Sequence, residues 1–124
     1  MFTSMFPILS SRDLPRLLQF YVEALDAQET YRFPADGDAF FVSVDVAGQH
    51  LGIGFDPEAP AVEAKQRGAL CFYAYSCDEA VELLRAAGAT VVNEPSDTEW
   101  GERVAQVLDP DGNLLHVGQA ASAG

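Results

Sequence analysis

Basic side chains are scarce in this chain. Seven Lys and Arg stand against 19 Asp and Glu, a formal net charge of −12 in 124 residues. Such a field repels phosphate backbones and excludes nucleic acid as an expected partner. It either draws cationic small molecules into a cleft or serves only solubility. Cysteine is scarcer still, with Cys71 and Cys77 alone. Cys71 falls within an expected strand and Cys77 just beyond it, so extended chain holds them up to ~20 Å apart, past the ~7 Å Cα limit for a disulfide. Two free thiols suit the cytosol. No apolar run approaches the ~20 residues that cross a bilayer. The opening Met1-Phe2-Thr3-Ser4-Met5-Phe6 lacks the basic and long apolar regions of a secretory signal, so a cytoplasmic protein is expected. There is also no Gly-x-Ser-x-Gly string, no evident Ser-His-acid arrangement and no phosphate-cradling glycine loop.

What is present describes a folded chain. Residues are 48% hydrophobic and 21% charged, which suits one domain spanning 1–124. Leu14, Leu17, Leu18, Tyr21 and Leu25 recur with helical spacing, behind Asp13 as a cap and Pro15 in the first turn. A second helix follows Ser76-Cys77-Asp78-Glu79, a capping-box pattern, with Cys77, Ala80, Val81 and Leu84 as its stripe and Gly88 as its stop. Strands are expected at 6–10, 29–33, 39–46, 49–55, 69–75, 90–93, 103–108 and 114–117. Ala47-Gly48 and Asp109-Pro110-Asp111-Gly112-Asn113 mark turns. The order is strand, helix and three strands, stated twice at an offset of roughly 60 residues, as in an internal repeat. Module one covers about 5–55, a linker 56–67, and module two about 68–118. The last residues, after Gln119, read as a frayed tail.

Strand parity sorts the faces, because side chains alternate along a strand. Leu51, Ile53 and Phe55, Leu70, Phe72 and Ala74, Leu115 and Val117, and Val104 and Leu108 make an apolar face that should carry the helices. His50, Gly52 and Gly54, Ala69, Cys71, Tyr73 and Tyr75, and Leu114 and His116 occupy the other. The expected fold is α+β: two βαβββ modules form a curved mixed sheet around a cup, with helices on the convex face.

Several strings, in this order, carry a family resemblance. Pro7-Ile8-Leu9-Ser10-Ser11-Arg12-Asp13-Leu14, followed by Phe20-Tyr21, resembles the opening of vicinal-oxygen-chelate domains, the superfamily of glyoxalases, bleomycin-resistance proteins and extradiol dioxygenases. Trp100-Gly101, then Asp109-Pro110-Asp111-Gly112-Asn113 and His116, resembles the close of the bleomycin-resistance branch. The likeness runs from about Phe6 to Val117. It implies a homodimer, in which Pro7 stands where related chains begin an exchanged N-terminal arm. It also implies four metal positions on the inner face, which fall here on Phe6, Gly52, Ala69 and His116. Only one of these can bind a metal, whereas a divalent site needs three or more ligands. No cofactor is therefore expected, and the cup is left for binding.

Individual residues keep two readings each. Trp100 is either a stacking wall for a planar or cationic group or a packing residue at a rim or dimer seam. Tyr73 and Tyr75 supply rings and hydroxyls to the cup face, and Phe6 is an ambiguous third aromatic. Asp97, Glu99 and Glu102 form an acidic lip around Trp100 or a solvated loop. His116 contacts a ligand, acts as a base, or bonds within its own sheet. His50 shares its parity, and His50, His116 and Cys71 are a remote candidate for a repurposed metal site. The function expected is sequestration of a small, cationic, partly aromatic ligand such as a bleomycin-type antibiotic. Its alternatives are a glyoxalase-type lyase or isomerase or a dioxygenase-like enzyme, with an atypical metal site or acid–base chemistry at His116, and a binding module for an endogenous metabolite.

Overall fold

The computed structural model describes residues 1–61 and 68–121. The order of elements is the expected one: β1 (Ile8–Ser11), α1 (Leu14–Leu25), β2 (Gln28–Phe33), β3 (Phe41–Val46), β4 (Gln49–Phe55), β5 (Leu70–Tyr73), α2 (Cys77–Ala86), β6 (Thr90–Asp97), β7 (Arg103–Leu108) and β8 (Leu114–Gln119). The chain divides into two compact units between Pro60 and Ala61. Each holds one mixed four-stranded sheet, ordered β1-β4-β3-β2 in the first and β5-β8-β7-β6 in the second, so the fold is α+β. Of the expected linker, 56–61 is without regular structure and 62–67 lies outside the described residues, as do 122–124 of the tail.

In the first unit, Asp13 caps α1 by accepting from the Arg16 amide at 3.2 Å, and Pro15 sits in the first turn, where no amide is needed. The helix buries Leu14, Leu17, Phe20 and Tyr21; Leu18 and Leu25, which the spacing placed on the stripe, are only half-buried, and Phe20 takes their place. This face packs on β1 and β4. Beneath it lie Val42, Val44, Leu51 and Ile53, each worth about 1.5–3 kcal/mol when fully buried. Phe55, at the end of β4, is exposed instead. Ala47 and Gly48 both have positive φ, 53° and 88°, the twist that a two-residue hairpin needs, and the Asp45 carboxylate accepts from the Gly48 amide at 2.7 Å. Arg12 ties the chain after β4 back to β1, its Nε donating to the Ala59 carbonyl at 2.6 Å.

In the second unit, Ser76 caps α2 through the Glu79 amide at 3.2 Å, and Cys77, Val81 and Leu84 face the sheet. Both cysteines are free, Cys71 exposed and Cys77 buried. The inward strand residues are Ala105, Val107, Leu115 and Val117. This corrects the parity expected for β7. Ala105 pairs with Val117 and Val107 with Leu115, so Val104 and Leu108 share the opposite face with His116. Arg103, on the helix side, donates to Asp78 of α2 at 2.8 and 3.1 Å and to Asp97 at 3.1 Å. Its hydrogen bonds, and to a lesser degree its charge, hold the Asp78 carboxyl below its ordinary pKa. The edge strand β6 runs on to Asp97 with register shifts between Val91 and Asn93 and again between Asn93 and Ser96.

Candidate ligand-binding face

The face of the second sheet turned away from α2 gathers most of the expected polar and aromatic residues. Directly paired residues point to the same side. Cys71 pairs with His116, His116 with Gln106, and Gln106 with Asn93, which makes one row across all four strands. Tyr73, Gly118, Val104 and Ser96 form the next row.

The Cys71 row is joined by side-chain bonds. Asn93 Nδ2 donates to Gln106 Oε1, which turns the Gln106 amide nitrogen toward His116. That nitrogen is 3.2 Å from Nδ1 and 3.5 Å from Nε2. The two ring nitrogens flank one carbon, so an atom near both sits over the ring rather than in line with either lone pair. Gln106 thus covers a face of the imidazole and leaves its nitrogen edges to other partners.

At the Tyr73 row, the Tyr73 ring is laid over β8. A Cβ on Gly118 would stand only 3.0 Å from its Cε1. Just before β7, a tight turn presents Trp100. Thr98 Oγ1 donates to the Glu102 carbonyl at 2.9 Å and accepts from the Glu102 amide at 3.0 Å, while Gly101 takes a φ of 97°. The Trp100 indole N–H donates to the Glu102 carboxylate at 2.6 Å. Tyr73 faces the same carboxylate: hydrogen bonding to Glu102, then its negative charge, push the phenol above its ordinary pKa. Trp100 and Tyr73 nevertheless remain 69% and 63% exposed, so their rings are open to a guest.

Trp100, Glu102, Tyr73, Cys71 and His116 are therefore brought to one face. Tyr75 stands fully exposed beyond β5, and Glu99 is exposed on the turn outside this group. Three expected residues belong to the first unit. Gly52 is buried there, because the Phe41 ring and Ile8 lie across it, 2.8 and 3.1 Å from where a Cβ would be. Phe6 precedes β1 and meets His50 edge-on, with ring centroids 6.4 Å apart. Gln106 and Asn93 are the residues that sequence reasoning missed. A polar residue between Ala105 and Val107, at the parity of Glu102, was the available signal.

The positions at which the family resemblance places metal ligands do not fit a divalent ion. Phe6, Gly52 and Ala69 carry no donor, and His116 supplies one imidazole. Among the described residues, no group of three or more His, Cys, Asp and Glu side chains is arranged to hold a metal. Nor, among them, is any helix long and apolar enough to cross a membrane.

Comparison with known proteins covers nearly the whole chain. The family model described as Glyoxalase/Bleomycin resistance protein/Dioxygenase superfamily matches residues 6–117. Among solved structures, TioX from Micromonospora sp. ML1 is similar with a TM-score of 0.76 and 23% identity, over 94% of this chain and 98% of that one. Hypothetical protein SA1046 from S. aureus gives 0.79 and 22%, over 97% and 95%. FosX from Listeria monocytogenes, a genomically encoded fosfomycin resistance protein, gives 0.77 and 18%, over 98% and 96%. At such identities the likeness is one of fold. A search of curated proteins gives no match.

Proposed function

The chain belongs to the Glyoxalase/Bleomycin resistance protein/Dioxygenase superfamily, and we propose that it acts there as a cofactor-free protein that sequesters a small, cationic, partly aromatic molecule. The observation that carries this reading is the Trp100–Glu102–Tyr73 group. One carboxylate anchors an exposed indole and lies against an exposed phenol, so two rings and a negative charge meet a guest together. A cation against such rings gains roughly 0.5–2 kcal/mol. The net charge of −12 adds attraction and association rate for a cation and opposes an anion.

Bleomycin-type glycopeptides are the ligand class we propose, in keeping with the Trp100-Gly101 and Asp109–Asn113 segments that resemble the bleomycin-resistance branch. We place the protein in the cytoplasm as a homodimer with an exchanged N-terminal arm. Met1, Phe2 and Met5 stand exposed ahead of β1, apolar surface that a partner would cover. The enzymatic alternative, with His116 as base, is less well supported. The row around His116 offers an amide and a thiol but no carboxylate to stabilise an imidazolium.

Trp100 is the only tryptophan, so its emission reports on this face without interference. Titration with bleomycin-type drugs and with phenylguanidinium should shift that emission and raise the melting temperature. Trp100→Ala, followed by calorimetry, should weaken binding by about 1–3 kcal/mol. If no planar cation moves either signal, the sequestration reading is wrong.

A further inference from the structure

We infer that this face grips its guest at two points, and that the guest is an elongated aromatic cation carrying an amide-like group at its far end. The inference rests on the binding function proposed above and extends it to the Gln106–His116 row. Glu102, just before β7, and Gln106, within it, share one parity four residues apart, so extended chain would separate them by up to ~13 Å. Between them stand Val104 on β7 and its partner Gly118 on β8, over which the Tyr73 ring lies. A planar molecule can stack on the exposed Tyr73 ring, which a residue larger than glycine would hold off the sheet.

The two ends differ in chemistry. At one, Glu102 supplies charge between Trp100 and Tyr73. At the other, Gln106 uses one oxygen lone pair on Asn93 and one N–H over His116. A primary amide has two of each. One N–H and one lone pair therefore remain on a half-buried amide whose orientation Asn93 has set. That remainder is the complement of another amide. The His116 ring edge beside it offers a further donor or acceptor. An isolated cation would use only the first end, and a neutral amide only the second.

Calorimetry on the full chain with three probes separates the possibilities. Phenylguanidinium reaches the Glu102 end alone, 4-guanidinobenzamide spans both ends, and 4-isopropylphenylguanidinium has the same shape with no hydrogen-bonding tail. The benzamide should bind about tenfold more tightly than either of the others, the worth of one net hydrogen bond. Gln106→Leu should erase that advantage, costing the benzamide more affinity than it costs phenylguanidinium. Equal affinities for the benzamide and the isopropyl compound in the unaltered protein would overturn two-point recognition, whatever the variant does. So would a Gln106→Leu protein that keeps the advantage or loses affinity for all three alike. Failure of phenylguanidinium to bind at all would instead remove the underlying function and this inference with it.

Discussion

Replacing Gly118 by alanine tests how the Tyr73 ring is held. The new Cβ would stand 3.0, 3.2 and 3.4 Å from Cε1, Cδ1 and Cζ of that ring. Ordinary carbon contacts are about 3.5–4.0 Å, so the ring must retreat by roughly half an ångström. It is 63% exposed and free to swing outward, so the side chain yields before the strand does. Overpacking in a closed core costs about 1–3 kcal/mol, whereas alanine in a strand gains roughly 0.5–1 kcal/mol over glycine. At this open position the two nearly offset, and the melting temperature should move by less than about 5 °C. The local effect is larger, because lifting the ring withdraws its hydroxyl from Glu102. Tyr73 ionises at higher pH than a free phenol, owing to that hydrogen bond and charge. In Gly118→Ala its pKa should fall back toward the ordinary value. Carbon NMR of ring-labelled tyrosine through the alkaline range reads this directly, with Tyr73→Phe assigning the signal. An unchanged Tyr73 titration would refute the reasoning, and so would a melting point lower by more than about 10 °C.

Other perturbations have defined outcomes. Arg103 depresses the Asp78 pKa, so stability from this pair is present above about pH 4 and is lost as pH falls through the lower folded-state pKa. Asp78→Asn should flatten the acid limb of a melting-temperature profile, and an unaltered limb would show that the pair contributes nothing. Cys71 is exposed, whereas Cys77 is buried and its thiol pushed upward, first by desolvation and then by Asp78. A chromogenic disulfide reagent should therefore titrate one thiol in the native protein and the second only after denaturation. Removal of residues 1–6 should shift light-scattering mass from dimer to monomer, and a dimer that survives the deletion would show that the arm does not hold it together.

Local chemistry made much of the fold legible. Asp13 and Ser76 announce the two helix starts, and Ala47-Gly48 the hairpin, because each answers a need of a few neighbouring atoms. The repeat of strand, helix and three strands follows from those marks. The faces of β7 were not legible. Val104, Ala105, Val107 and Leu108 put apolar groups on both parities, and only pairing with Leu115 and Val117 decides that Ala105 and Val107 point inward. That reversal hid Gln106. The length of β6 was obscured by Glu94 and Pro95, which follow the expected strand 90–93 but continue it with shifted register. Among the candidate residues, Tyr73, Cys71 and His116 were sorted to one face by strand parity, and Trp100 and Glu102 were singled out by residue type alone. The indole–carboxylate bond and the burial of Gly52 depend on side-chain directions that no spacing encodes.

The irregular margin formed by β6 has a bearing on solution behaviour. Pro95 offers no backbone donor, and the two register shifts break the rhythm of the outer carbonyls and amides. An incoming strand finds no uninterrupted template there. Such a border should hinder fibril seeding, and smoothing it with a straight run of valines should promote gelling on concentration.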